Sequence, residues 1–276
     1  MSYKTILVHV TPGAAGDARI RFAAALAREA GAHLVGSCPS GVSRFIPPSY
    51  LAGGGSALAL RCEELRRDAG KALAHFERIA GEEALASWEA RFIDDEAGAG
   101  LALQARYCNL VVVGRVNRDV TDPLLPPDLP EYLIVNSGRP VLVVPAGSAA
   151  LAPHGEAVLA WNGSAEATRA AGAALPLLRS ARCTTVLGVD DGTAGTDLEA
   201  CRELAAWLKR QGVAARVDCR AANDDAGEVL LSAAADYQAG LLVMGGYGHT
   251  RLRELVLGGA TATVLRAMTL PVLFGH

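Results

Sequence analysis

Short, unbroken apolar runs recur along the chain: ILVHV at 6–10, LVVVG at 110–114, LLVMG at 241–245, and PVLVV and PVLFG within 140–144 and 271–275. Runs without polar alternation suit strands covered on both faces, as in a parallel sheet with helices on either side. Between them lie longer Ala/Leu-rich segments with helical spacing of apolar positions. The first half predicts strands near 4–10, 32–37, 88–93, 110–114 and 140–144, with helices near 17–30, 57–80, 95–107 and 128–137. The second half predicts strands near 156–161, 183–189, 214–219, 240–245 and 271–275, with helices near 164–180, 196–211, 225–239 and 260–268. Strand and helix alternate throughout, so the crossovers are right-handed and the sheets parallel.

The second half repeats the first. Gly114 aligns with Gly245 and Pro140 with Pro271 at one common offset, while the segments 5–27 and 157–178 align at a longer one. The first half must therefore carry extra residues between these anchors, and the Pro/Gly/Ser-rich stretch CPSGVSRFIPPSYLAGGGS (38–56) is where they fall. With Phe45, Ile46, Tyr50 and Leu51, that insertion reads as a lid, a docking surface or a loop packed over the sheet. The small, Pro/Gly-containing segment AGSAALAPHG (146–155) reads as the linker, which gives domains at 1–146 and 155–276.

Composition narrows the function classes. Hydrophobic residues are 51% and charged residues 20%, enough for two cores and against disorder. A net charge of −3 without a basic cluster gives no electrostatic footprint for nucleic acid. No apolar stretch reaches the ~20 residues of a membrane helix, and MSYKTILVHV has no leader layout. The six cysteines form no CxxC pair and read as reduced thiols, so the expectation is a soluble cytoplasmic protein. His9, His33 and His75 stand apart from any nucleophile or carboxylate arrangement, and no GxSxG or HExxH occurs. Asp190 and Asp191 are adjacent strand-end acids whose side chains point apart, as solvated loop residues do.

Ligands of an open doubly wound sheet sit beyond the carboxyl ends of the strands, at the switch point. In the second half that region is Asn162-Gly163-Ser164 and GGYGHTRLRELVLGG (245–259). Gly245, Gly248 and Gly258 stand at the spacing G-2x-G-9x-G, and a helix starts near Gly259–Ala260. Glycines let backbone N–H groups approach an anion, and a helix start adds its own unbonded amides. His249 and Arg251 can reach phosphate oxygens, and Tyr247 can cover a base or sugar or simply cap the loop. Ser164 also reads as an ordinary helix N-cap with Glu166 in the first turn. The loop stands between two readings, a phosphate cradle and a structural turn.

On these residues the chain resembles a tandem universal stress protein, two such domains fused, over essentially its full length. The resemblance implies two doubly wound α/β domains, each a five-stranded parallel sheet in the order 3-2-1-4-5, with the two final strands paired inside the molecule as an internal pseudo-dimer. It implies ATP or another adenine nucleotide as ligand of the second domain, with Mg²⁺ only alongside the nucleotide, and no defined reaction. It places the backbone of Val189 at the adenine edge. Two positions depart from the family pattern: Gly259 stands where Ser or Thr follows the third glycine, and Asn162 where the first strand carries an acid. The first copy departs further, with Asn117 and Pro127 at the second and third glycine positions and Val10 at the first-strand polar position. That copy is expected to be scaffold and partner surface. A non-catalytic, stress-associated regulator is the expectation. Its rivals are a nucleotide-independent interaction module and a slow ATPase or phosphotransferase, with a homodimer and an unidentified protein partner further expectations.

Overall fold

A computed structural model describes residues 2–43, 45, 57–115, 126–148, 155–190, 198–221, 225–248 and 259–276. His249, Arg251 and Gly258, together with Asn117, Asp191 and most of the 38–56 insertion, lie outside the described residues. The chain divides into two compact units, one built on Tyr3–Arg139 and the other on residues 155–276 together with Pro140–Pro145.

In the first unit the order is β1 (Thr5–His9), α1 (Ala14–Ala30), β2 (His33–Pro39), α2 (Ala57–Glu82), β3 (Trp88–Ile93), α3 (Ala97–Ala105), β4 (Leu110–Gly114) and α4 (Leu129–Asn136). The strands run β3-β2-β1-β4, all parallel. Ile6, Leu7 and Val8 of β1 and Leu110 to Val113 of β4 are fully buried, as continuous apolar runs between two helix layers should be. Side-chain alternation fixes those layers. A Cβ on Gly36 would collide with Phe76 of α2, whereas Gly100 of α3 lies against Ile93. Gly36 pairs with Ala90, three residues before Ile93, so α2 and α3 cover opposite faces.

The second unit contains β5 (Val141–Val144), β6 (Glu156–Trp161), α5 (Ala165–Leu178), β7 (Cys183–Asp190), α6 (Leu198–Arg210), β8 (Ala215–Ala221), α7 (Ala226–Asp236), β9 (Ala239–Gly245), α8 (Ala260–Ala267) and β10 (Val272–Gly275). Strands β8-β7-β6-β9-β10 are parallel neighbours in the order 3-2-1-4-5 of their own sequence. β5 closes this sheet: it lies antiparallel on β10, with Val143 opposite Val272, Leu142 opposite Leu273 and Val141 opposite Phe274. The two final strands are thus paired, and β5 is shared out to the unit whose edge it covers. Pairing satisfies the row of N–H and C=O groups that an open β10 edge would expose.

The element positions agree with the periodicity to within a few residues at each end. Among the described residues no helix is long and apolar enough to cross a membrane, and none of the six cysteines forms a disulfide.

Candidate functional site

In the second unit the crevice is bounded by the turn after β6 and the turn after β9, since these strands are parallel neighbours. Gly163 has φ +73°, the left-handed region that a residue with a Cβ seldom adopts. That turn lets Asn162 Oδ1 accept from the Ser164 amide at 3.2 Å, and Ser164 Oγ accept from the Ala167 amide at 3.1 Å. Ser164 is therefore the N-cap of α5, with Glu166 in its first turn, and the oxygen of Asn162 is engaged in building the turn.

On the β9 side, Gly245 is a packing position. A Cβ there would stand 2.7 Å from the Ala167 nitrogen and 2.9 Å from the Glu166 carbonyl carbon. Its register partner Gly275 is equally tight, 2.5 Å from the Ala170 nitrogen. The two glycines together let α5 lie directly on the ends of β9 and β10. Beyond them Gly246 donates to the Gly275 carbonyl at 2.8 Å, and Tyr247 turns the chain with φ +56° while donating its amide to Thr261 Oγ1 at 3.4 Å. Gly248 is exposed, and its bare Cα faces a carboxylate: an added Cβ would lie 2.5 Å from Glu166 Oε2. The other oxygen of Glu166 accepts from Arg169 at 2.8 Å.

Helix α8 opens at Gly259, with Ala260 its first residue and no side-chain cap. α7 differs. Its cap, Asp225, accepts from the Gly227 amide at 2.7 Å and from Thr263 Oγ1 at 2.5 Å, which ties the start of α7 to α8. A Cβ on Gly227 would reach the Ala260 carbonyl at 2.8 Å, so these two helix starts are in direct contact. Val189 is half-buried near the end of β7, paired with Arg220 of β8. Among the described candidates, Asn162, Gly163, Gly245 and Gly248 are drawn together around the α5 start, while Gly259 and Ala260 sit at the α8 start, joined to the β9 turn through Thr261.

The first unit fills the corresponding place differently. Arg19 of α1 is 4% exposed; its Nε donates to the His9 carbonyl at 2.8 Å and its Nη2 to Thr11 Oγ1 at 2.6 Å. Its Nη1 lies 2.3 Å from where a Cβ on Gly114 would be. The guanidinium thus occupies the space over the end of β4 that glycine leaves open. Burial lowers its pKa to about 10, so it stays charged at neutral pH. Val10 is fully buried, and Pro127 stands in the turn that leads into α4, with no N–H to offer an anion. The histidines serve locally: His75 Nε2 lies 2.7 Å from Asp17 Oδ1, and His33 Nδ1 lies 2.6 Å from Ser87 Oγ.

Sequence reasoning did not single out Arg19, and it read Glu166 only as a first-turn acid. The available signal was the glycine ending each fourth strand: an apolar strand that stops in glycine leaves a space that a side chain or a helix backbone must fill.

Against known proteins, residues 153–274 match the universal stress protein family. A stretch of 46 residues is 46% identical to a universal stress protein of Synechocystis, spanning 17% of this chain and 16% of that relative's length. A universal stress protein from Archaeoglobus fulgidus superposes with a TM-score of 0.73 at 15% identity, over 98% of this chain and 94% of that one. A functionally unknown protein from Pseudomonas aeruginosa PAO1 superposes at 0.57 and 18% identity, over 98% and 92%. At such identities the superpositions speak for the fold across both units. The family match thus covers the domain that the C-terminal half forms, and the likeness in fold extends over both units.

Proposed function

We propose that the C-terminal domain is a non-catalytic regulatory module that senses an adenine nucleotide, and that the N-terminal unit is scaffold and partner surface. The observation that carries this reading is the start of α8. Helices α5 and α7 have side-chain caps in Ser164 and Asp225, while α8 begins at Gly259 without one. Its first amides and positive dipole end are suited to an anionic oxygen. Thr261, in the first turn of the same helix, holds the β9 turn beside it, so both glycine segments of the G-2x-G-9x-G pattern can serve one phosphate group. Adenine as the base is the expectation of the family resemblance, with Val189 as its backbone contact and Asn162 where the family carries the first-strand acid that helps hold the nucleotide. Mg²⁺ enters only with the nucleotide. A cytoplasmic setting goes with six cysteines outside any disulfide.

A nucleotide-independent interaction module is the second reading, favoured by the Glu166 carboxylate that already lies on Gly248. Calorimetric titration of the nucleotide-stripped protein with ATP, ADP and AMP, with and without Mg²⁺, separates the two. One site per chain is expected. It should weaken in Gly259→Pro, which suits the observed φ of −54° but removes an N–H. No heat and no thermal shift at several millimolar nucleotide would establish the interaction module instead.

A further inference from the structure

Glu166 occupies a position with a consequence for which ligands the crevice admits. It stands in the first turn of α5, between the turn after β6 and the turn after β9. Its carboxylate rests on the bare face of Gly248: the Cβ position of that glycine is 2.5 Å from Oε2, 3.0 Å from Cδ and 3.3 Å from Cγ. The side chain is only 16% exposed, although Arg169, which holds Oε1 at 2.8 Å, is 51% exposed. The glycine face on which the nucleotide reading lays a phosphate oxygen therefore holds an anionic oxygen of the protein itself.

We propose that Glu166 is an internal anion that gates the crevice by charge. The inference rests on the nucleotide reading given above. A phosphate group cannot lie on Gly248 while the carboxylate is there, both for want of space and because like charges in a partly dehydrated site repel. Entry requires the side chain to rotate outward. The flexible Glu166 and the exposed Arg169 permit this without disturbing the helix, whose start is held by Ser164 and Asn162. The gate discriminates by ligand charge: each added phosphate raises the repulsion, while adenosine, which brings no charge, meets none. Counter-charge removes the barrier, which makes Mg²⁺ helpful to ATP here and indifferent to adenosine.

The test is titration of the full chain with adenosine, AMP and ATP, in the wild type and in Glu166→Gln. Glutamine keeps the size of the side chain and an oxygen for Arg169. Removing the charge should tighten ATP about tenfold and AMP less, and leave adenosine unchanged. The substitution also removes the charge that pairs with Arg169, so the pair is repeated in an Arg169→Gln background, where the tightening should persist. Equal affinities in wild type and Glu166→Gln would overturn the gate and leave the nucleotide site standing. Equal tightening for adenosine and ATP, or loss of the effect in the Arg169→Gln background, would also overturn the gate. Absence of binding by every variant would overturn the gate and the nucleotide site together.

Discussion

Gly114 and Gly245 both end the fourth strand of their repeat, and the space each leaves by lacking a Cβ is filled differently, by a side chain in one and by backbone in the other. Over Gly114 lies the buried guanidinium of Arg19, bonded to the end of β1 through His9 and Thr11. Over Gly245 lies the backbone of the first turn of α5, and three residues on the Glu166 carboxylate lies over Gly248. Where α5 has Glu166, the start of α1 has Ala14 and Ala15; where α1 has Arg19, the corresponding stretch of α5 has Ala170 and Ala171. One unit has made its switch point part of the core. In the other it is lined by the Glu166 carboxylate, whose side chain is 16% exposed. The difference is in how deeply the filling group is bonded, and it predicts how each site responds to substitution.

Arg19→Ala should have the largest effect. It removes two buried hydrogen bonds and the volume of a long side chain, and should cost about 3 kcal/mol in urea unfolding. Arg19→Met, which refills the volume but leaves the His9 carbonyl and Thr11 hydroxyl without their donor, should cost about half as much. Glu166→Ala in the second unit should change stability by less than ~1 kcal/mol. Similar losses for Arg19→Ala and Glu166→Ala would erase the distinction between a core group and a movable one.

Glycine substitutions sharpen the same contrast within the second unit. A methyl on Gly245 meets backbone of α5, which can yield only by moving the helix off the sheet, so Gly245→Ala should cost about 1–3 kcal/mol. A methyl on Gly248 meets the far end of a flexible glutamate, so Gly248→Ala should cost less than ~1 kcal/mol. Thermal unfolding of the two variants side by side checks the order. A reversed order would mean that the turn after β9, and not the packing of α5, sets the need for glycine.

The sequence made the framework readable because its signals were local. Unbroken runs such as LVVVG and LLVMG mark central strands whatever surrounds them, and Ser164 announces the start of α5 by its own hydroxyl. The edge strands were legible in position but not in their contacts: β3 and β8 are only half-buried, and β8 alternates Arg216, Asp218 and Arg220, with Arg216 and Arg220 near the ring of Tyr237 at 4.6 and 5.5 Å. Arg19 was out of reach for a physical reason. In an Ala-rich helix that also carries the exposed Arg21 and Arg28, an arginine reads as a solvated residue, and only closure of α1 onto the end of β4 buries Arg19. Glu166 shows the same limit. Its place in the first turn is legible, but its contact with Gly248 joins residues far apart in sequence. Gly245 was legible as a member of a glycine pattern, while its tight contact with α5 was not.

Helix starts give a smaller effect. Ser164→Ala removes the bond from the Ala167 amide and should cost about 1 kcal/mol. Gly259→Ser supplies the cap that α8 lacks and should stabilise by a few tenths of a kcal/mol. Its hydroxyl also restores the residue type of the family pattern, so ATP affinity should rise in the same variant. A gain in melting temperature with weaker ATP binding would mean that the new hydroxyl competes with the phosphate for the same amides.

The smallest effect lies at acid pH and compares the third strands of the two units. The Asp94 carboxyl, just after β3, is held below the ordinary range by hydrogen bonds from Arg66 and Ser40. Burial works to raise Asp218 in β8, but hydrogen bonds from Arg220 and Tyr237 outweigh it and hold that carboxyl low as well. A folded value below the unfolded one means that each group stabilises fully above the unfolded value of about 4. That contribution is lost as pH falls from there through the folded value. Asp218 is 28% exposed and Asp94 45%, so solvent screens Asp94 more and leaves it the smaller share. Urea midpoints measured between about pH 5 and 2 should fall less steeply in Asp218→Asn than in the wild type, with Asp94→Asn in between. Parallel curves for all three proteins would show that neither carboxylate is coupled to folding, and that Arg66 and Arg220 serve solubility of the exposed edges.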